Sequence, residues 1–155
     1  MSVNFQEALN QKIEDVERPP LPPLGTFKWK IDRIPDFREV GDGAYDIVDF
    51  LCRVVEANED VDQADIEAYG APITNITVRY SFMFNKEDAV KFQQTLFRMR
   101  TFLEDHLQCA TASDTLKEGL ANSVNSVFVG ELKYRQDKVD KELMYPEIGA
   151  TAPVE

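Results

Sequence analysis

Histidine, tryptophan and cysteine are nearly missing from this 155-residue chain, which holds one His, one Trp and two Cys. One imidazole excludes a His-rich metal centre, and His106 at the end of a helical pattern reads as structural rather than catalytic. Cys52 and Cys109 stand far apart without zinc or redox spacing, so both thiols are expected to be reduced and structural. Long apolar runs are absent as well: nothing approaches the roughly 20 apolar residues of a bilayer-spanning helix. Residues 1–7 lack the basic flank and apolar centre of a secretory signal. A cytoplasmic protein without membrane attachment is expected. There is no G-x-S-x-G, P-loop or dinucleotide glycine pattern, so neither a catalytic residue, a cofactor nor a metal is expected, and the chain reads as a non-enzyme. Basic residues are in deficit, 17 against 28 acids, for a net charge of −11. That balance argues against gripping duplex DNA through a uniformly basic surface.

The charge that is present is unevenly spread. Residues 36–72 hold most of the excess acid, against only Arg38 and Arg53. Residues 25–35 are net positive through Lys28, Lys30 and Arg33, and residues 73–103 through Arg79, Lys86, Lys91, Arg98 and Arg100. An acidic protein can therefore present a basic face, because local potential steers a ligand more than total charge does.

Val3, Phe5, Leu9, Ile13 and Val16 lie near helical spacing and predict a short amphipathic arm. Four prolines within 17–25 forbid helix and predict a stiff spacer; Pro19–Pro22 also fits P-x-x-P, for which a plain linker is the expected role. From Thr26 to Arg33, apolar Phe27, Trp29 and Ile31 alternate with polar residues, the period of a half-buried strand. Pro35-Asp36 and Gly41-Asp42-Gly43 read as turns, and Ala44 to Glu56 as a second strand apolar on both faces. The acidic stretch Asn58 to Gly70 predicts an exposed loop or a short helix. A third strand follows over Ile73 to Phe84. Asn85 can then cap a helix of about five turns whose inner stripe is Ala89, Phe92, Leu96, Met99, Leu103 and Leu107. A short helix starting at Ser113 or Asp114 and two closing strands, Val127–Arg135 and Leu143–Ile148, complete the pattern, with Pro146 placing the last strand at an edge or a bulge.

That order predicts a mainly β fold with α: a five-stranded OB-like barrel, one long helix between the third and fourth strands, and an N-terminal arm. The arm and spacer occupy 1–24, the domain 25–149, and an unpacked tail 150–155.

Single-stranded nucleic acid is held by cations that follow phosphates and by rings on which bases stack. Basic and aromatic residues interleave at Lys28-Trp29-Lys30, Arg79-Tyr80 and Lys133-Tyr134-Arg135. Lys28, Lys30, Arg79, Lys133 and Arg135 are the candidate phosphate contacts, and Trp29, Tyr134 or Tyr145 the candidate stacking rings, with Tyr45 in reserve. Strand neighbours face opposite ways, however, so Trp29 points inward if Lys28 and Lys30 point out. Glu131-Leu132-Lys133 matches the E-x-K spacing of metal-dependent nucleases, but alternation on an exposed strand explains it equally.

The proline-rich segment Val16 to Phe27, the Glu56-Ala57-Asn58-Glu59-Asp60-Val61-Asp62 run, and Tyr134-Arg135-Gln136-Asp137-Lys138 before Tyr145-Pro146-Glu147-Ile148 together resemble a family of small bacteriophage OB-fold single-stranded DNA-binding proteins. The resemblance spans about residues 10–150. It implies non-sequence-specific binding of single-stranded DNA in phage replication or recombination. Such proteins often end in an acidic tip that recruits replication enzymes, whereas residues 149–155 carry one acid. The acidic 56–67 segment is the alternative docking surface for replication or recombination proteins. Two further readings remain: a phage structural or assembly protein that forms homo-oligomers through its arm, and an acidic DNA mimic presenting residues 36–67 to a host enzyme.

Overall fold

Alternation of apolar and polar residues builds β1 (Gly25–Ile31), where Phe27, Trp29 and Ile31 are fully buried and Lys28 and Lys30 face outward. The computed structural model describes residues 4–18 and 20–155, so Val3 of the predicted arm and Pro19 of the P-x-x-P pattern lie outside the described residues. Five further strands follow: β2 (Asp36–Val40), β3 (Tyr45–Ala57), β4 (Thr77–Asn85), β5 (Val127–Gln136) and β6 (Met144–Ala152). All pair antiparallel in one sheet of order β2-β3-β1-β5-β6, with β4 on the free edge of β3. The 13-residue β3 is its spine. One edge of β3 takes β4, while the other takes β2 along its first half and β1 along its second.

Three expectations are corrected here. The strands number six, because Asp36–Val40, for which the sequence predicts no strand, is one: the expected turn at Gly41-Asp42-Gly43, with Gly41 and Gly43 at φ +63° and +85°, reverses the chain and lets it pair back onto residues 45–49. The long helix consequently follows the fourth strand. Residues 150–152 are not an unpacked tail, since Thr151 pairs with Gly130 and Ala152 with Val129 after a register shift between Gly130 and Leu132. Pro146 sits opposite Tyr134 in β6, an edge strand with a ladder partner on one side only, the place in a sheet where proline is tolerated. Finally, β4 and β6 approach each other, but among the described residues no ladder joins them. The sheet is open along this seam.

Helix α1 (Phe5–Leu9) is wholly exposed, and α2 (Gln63–Tyr69) occupies the acidic insert, capped by Asp62. The side chain of Asp88, three residues beyond the expected cap, accepts from the N–H groups of Val90 and Lys91 at 3.1 Å and starts α3 (Ala89–Thr101). A π-helical turn, Phe102–His106, continues it, and Met99, Phe102, Leu103 and Leu107 are buried against the sheet. Phe102 is the hub: its ring centroid lies 5.1 Å from those of Phe50 and Phe128 and 5.0 Å from that of Tyr80. Helix α4 (Leu116–Asn122) opens on a capping box between Thr115 and Glu118. Among the described residues no helix is long and apolar enough to cross a membrane.

Both cysteines are free thiols. Burial pushes the Cys52 thiol far above its ordinary range, and burial raises that of half-buried Cys109 as well. In the folded protein at pH 8, iodoacetamide is expected to leave Cys52 unmodified while alkylating both residues in urea. Mass spectrometry that found Cys52 modified without denaturant would contradict this packing.

Candidate nucleic-acid interface

Strand parity decides which side chains the open seam receives. On β4, Thr77, Arg79 and Ser81 face outward; on β2, Arg38 does; on β5, Lys133 and Arg135 do. Across from them β6 presents Tyr145 and Glu147. Arg38, Arg79, Arg135, Tyr145 and Glu147 thus line one groove of about 610 Å³ along the β4–β6 seam.

The floor is fixed by Asp49 of β3, only 4% exposed. Arg38 Nε donates to its Oδ2 at 2.6 Å, and the Ser81 hydroxyl donates to its Oδ1. Burial alone would raise the Asp49 pKa, but the hydrogen bonds from Arg38 and Ser81, helped by the charges of Arg38 and Arg79, hold the carboxyl below its usual range. This ionised anchor fixes one edge of the Arg38 guanidinium and leaves the half-exposed side chain facing the groove. Arg79 is exposed and, among the described residues, forms no ion pair. The Arg135 guanidinium lies 5.4 Å from the centroid of the Tyr145 ring and its Nε 3.7 Å from Glu147 Oε2. Three guanidiniums and a 38%-exposed phenol ring therefore face a single partly exposed carboxylate. Such planar, permanently charged forks match phosphate oxygens, and a ring beside them offers a flat apolar face.

No protein-family model matches this chain, and no curated protein sequence does.

Of the residues picked from sequence, the groove gathers Arg79, Arg135 and Tyr145. Lys133 stands at its rim, with Nζ 3.8 Å from Glu147 Oε1. Lys28 and Lys30 do not line it: they lie on the outer face of β1, opposite Glu56 and Arg53. Trp29 cannot stack on a base, because its ring is fully buried and its Nε1–H donates to the Gly130 carbonyl at 2.9 Å. Tyr134 is likewise withdrawn. It shares the inner face of β5 with Phe128 and Leu132, packs on the core, and donates its hydroxyl to the Pro22 carbonyl. Tyr45 falls in a different groove, beside α3. Arg38 is a site residue that the sequence does not point to, because Asp36-Phe37-Arg38-Glu39-Val40 carries no period of two to mark a strand. His106 Nδ1 lies 2.7 Å from Thr151 Oγ1, and the ring fastens the π-helical turn to β6.

The acidic stretch is partly tied down. Asp36 pairs with Arg33 at 2.8 Å and Asp46 with Lys86 at 3.1 Å, while Asp60 accepts from the Thr26 N–H and hydroxyl. Glu56, Glu59, Asp65 and Glu67 remain exposed.

Proposed function

We propose that this protein is a non-enzymatic binder of single-stranded DNA, with the β4–β6 seam as its binding groove. The convergence of Arg38, Arg79 and Arg135 on the Tyr145 ring, in a chain of net charge −11, carries this reading. A strongly acidic protein that collects guanidiniums at one groove has local attraction for an anion against its own overall repulsion. A groove with a ring beside its cations suits an unstacked strand, whereas among the described residues strands alone line it and no helix is offered to a major groove.

The fold reading belongs to the same proposal. If β1 and β2 are counted as one bent strand, the pairings β1–β3, β3–β4, β1–β5 and β5–β6, with a helix between β4 and β5, follow the connectivity of an OB-like barrel left open at the seam. A role in phage replication or recombination, in the host cytoplasm, rests on the resemblance over about residues 10–150. Exposed Glu56, Glu59, Asp65 and Glu67 supply the surface on which replication or recombination proteins would dock. The ion pairs of Asp36, Asp46 and Asp49 weigh against a free acidic array that mimics DNA.

Fluorescence anisotropy of a labelled oligonucleotide, with duplex of the same sequence as control, tests the proposal. Three arginine contacts predict a log–log salt slope of about −2, at roughly −0.7 per phosphate neutralised. Arg79→Glu combined with Arg135→Glu should weaken binding by about a hundredfold at low salt without moving the melting temperature, whereas Lys28→Glu with Lys30→Glu should have a several-fold smaller effect. Wild-type affinity in the arginine double variant would remove the seam as the site.

A further inference from the structure

We infer that the N-terminal arm of one copy docks in the groove between α3 and β4 of a second copy, so that two chains exchange arms. The arm is unsatisfied by its own fold. Phe5, Leu9 and Ile13 recur every fourth residue and, with Val16, are 61% or more exposed, Ile13 reaching 94%. An isolated helix as short as α1 is unstable in water unless its apolar stripe is covered. The root of the arm is nevertheless held: Pro22 and Pro23 are buried, the Pro22 carbonyl accepts from Tyr134, and Arg18 reaches the Glu142 carbonyl at 3.3 Å and Asp140 at 3.5 Å. The spacer thus projects the arm from a fixed point on the β5–β6 hairpin.

The same molecule exposes an apolar groove. Met83 of β4 and Val90 and Phe97 of α3, 50%, 68% and 61% exposed, line a cleft of about 1120 Å³ together with Tyr45. Apolar side chains exposed on that scale along a helix mark an interaction surface, and an amphipathic segment with anchors every third or fourth residue is what such a groove accepts. Charge selects the occupant. Among the described residues the cleft is lined by Lys91 and Arg98 and by no acid, while the arm carries Glu7, Glu14, Asp15 and Glu17 against Lys12 and Arg18. Each copy has one arm and one groove, so reciprocal exchange closes as a two-fold dimer.

Sedimentation velocity of the full chain over a concentration series tests this. The wild type should sediment as a dimer. An arm variant, Leu9→Asp with Ile13→Asp, and a groove variant, Val90→Asp with Phe97→Asp, should each shift to monomer with the dissociation constant raised about tenfold or more. All four positions are exposed, and a far-ultraviolet circular dichroism spectrum like that of the wild type confirms that each variant folds. Mixing the two variants should give a heterodimer tighter than either variant alone but weaker than the wild type, because one of its two contacts, the intact arm of the groove variant in the intact groove of the arm variant, is preserved. A monomeric wild type, a dimer that survives either variant, or a mixture that stays monomeric would overturn the exchange.

Discussion

Trp29→Ala is expected to bring this protein close to its unfolding limit. The ring is wholly inside, it meets Phe27 edge-on at 5.9 Å between centroids, and its N–H satisfies the Gly130 carbonyl. Truncating a buried tryptophan to alanine removes about 3–5 kcal/mol through lost transfer energy and the cavity left behind. The stranded Gly130 carbonyl adds about 1–3 kcal/mol if water cannot reach it. Domains of this size hold about 5–15 kcal/mol in all, so the loss is comparable with the total. Urea unfolding followed by far-ultraviolet circular dichroism should show the midpoint collapse, and Trp29→Phe, which keeps a ring but not the donor, should fall between variant and wild type. The outcome also separates two roles for this residue. A stacking tryptophan would lose DNA affinity at unchanged stability, and an unchanged urea midpoint would therefore sink the core assignment.

Asp49→Asn should lower stability and tighten nucleic-acid binding together. Asparagine keeps the shape but loses the charge that pairs with Arg38 and accepts from Ser81, charged hydrogen bonds worth about 1.5–3 kcal/mol each way. Because Arg38 is half exposed and can rehydrate, we expect a total near 2–3 kcal/mol rather than the larger loss seen when a charge is left fully buried. The pH dependence has a definite sign. The carboxyl is held below its usual range in the folded state, so on acidification the unfolded chain takes up this proton first. Its stabilisation is complete above the unfolded value of about 3.9 and fades as pH falls through the folded value. Stability measured from pH 7 down to pH 3 should fall more steeply for wild type than for Asp49→Asn. Removing the anion beneath Arg38 and Arg79 should meanwhile strengthen oligonucleotide binding at low salt by a few-fold. A variant as stable as wild type, with an unaltered acid limb, would show that Asp49 does not anchor the groove.

Periodicity made most of the fold legible. The period of two in β1 and the three–four spacing of α3 record which side meets the core; burial follows the first throughout, and the second partly at Phe92 and Leu96 and fully at Met99, while Ala89 is exposed. Where no side meets the core the record is blank. Every residue of β2 but Val40 is exposed, so its existence depends on the glycine hairpin and on β3 as a template rather than on an apolar face. The Gly149-Ala150-Thr151-Ala152 end of β6 has side chains too small to carry a pattern and is paired because β5 runs beside it. The site was half legible for a related reason. Strand parity already set Trp29 against Lys28 and Lys30, and the same parity withdraws Tyr134 from Lys133 and Arg135. Composition could nominate arginines but not bring them together, since Arg38, Arg79 and Arg135 meet only once strands distant in sequence form one seam.

The hydrogen bond between Trp29 and Gly130 joins residues 101 positions apart. On the ribosome, β1 therefore emerges well before the strand that covers its second edge, by roughly 5–20 s at ordinary elongation rates. Through that interval β3 can shelter one side of β1, while the apolar residues destined for β5 have no counterpart yet. The acidic residues between positions 36 and 67 are made within the same window and keep unfinished chains repelling one another. The sheet is completed only when β5 and β6 join β1.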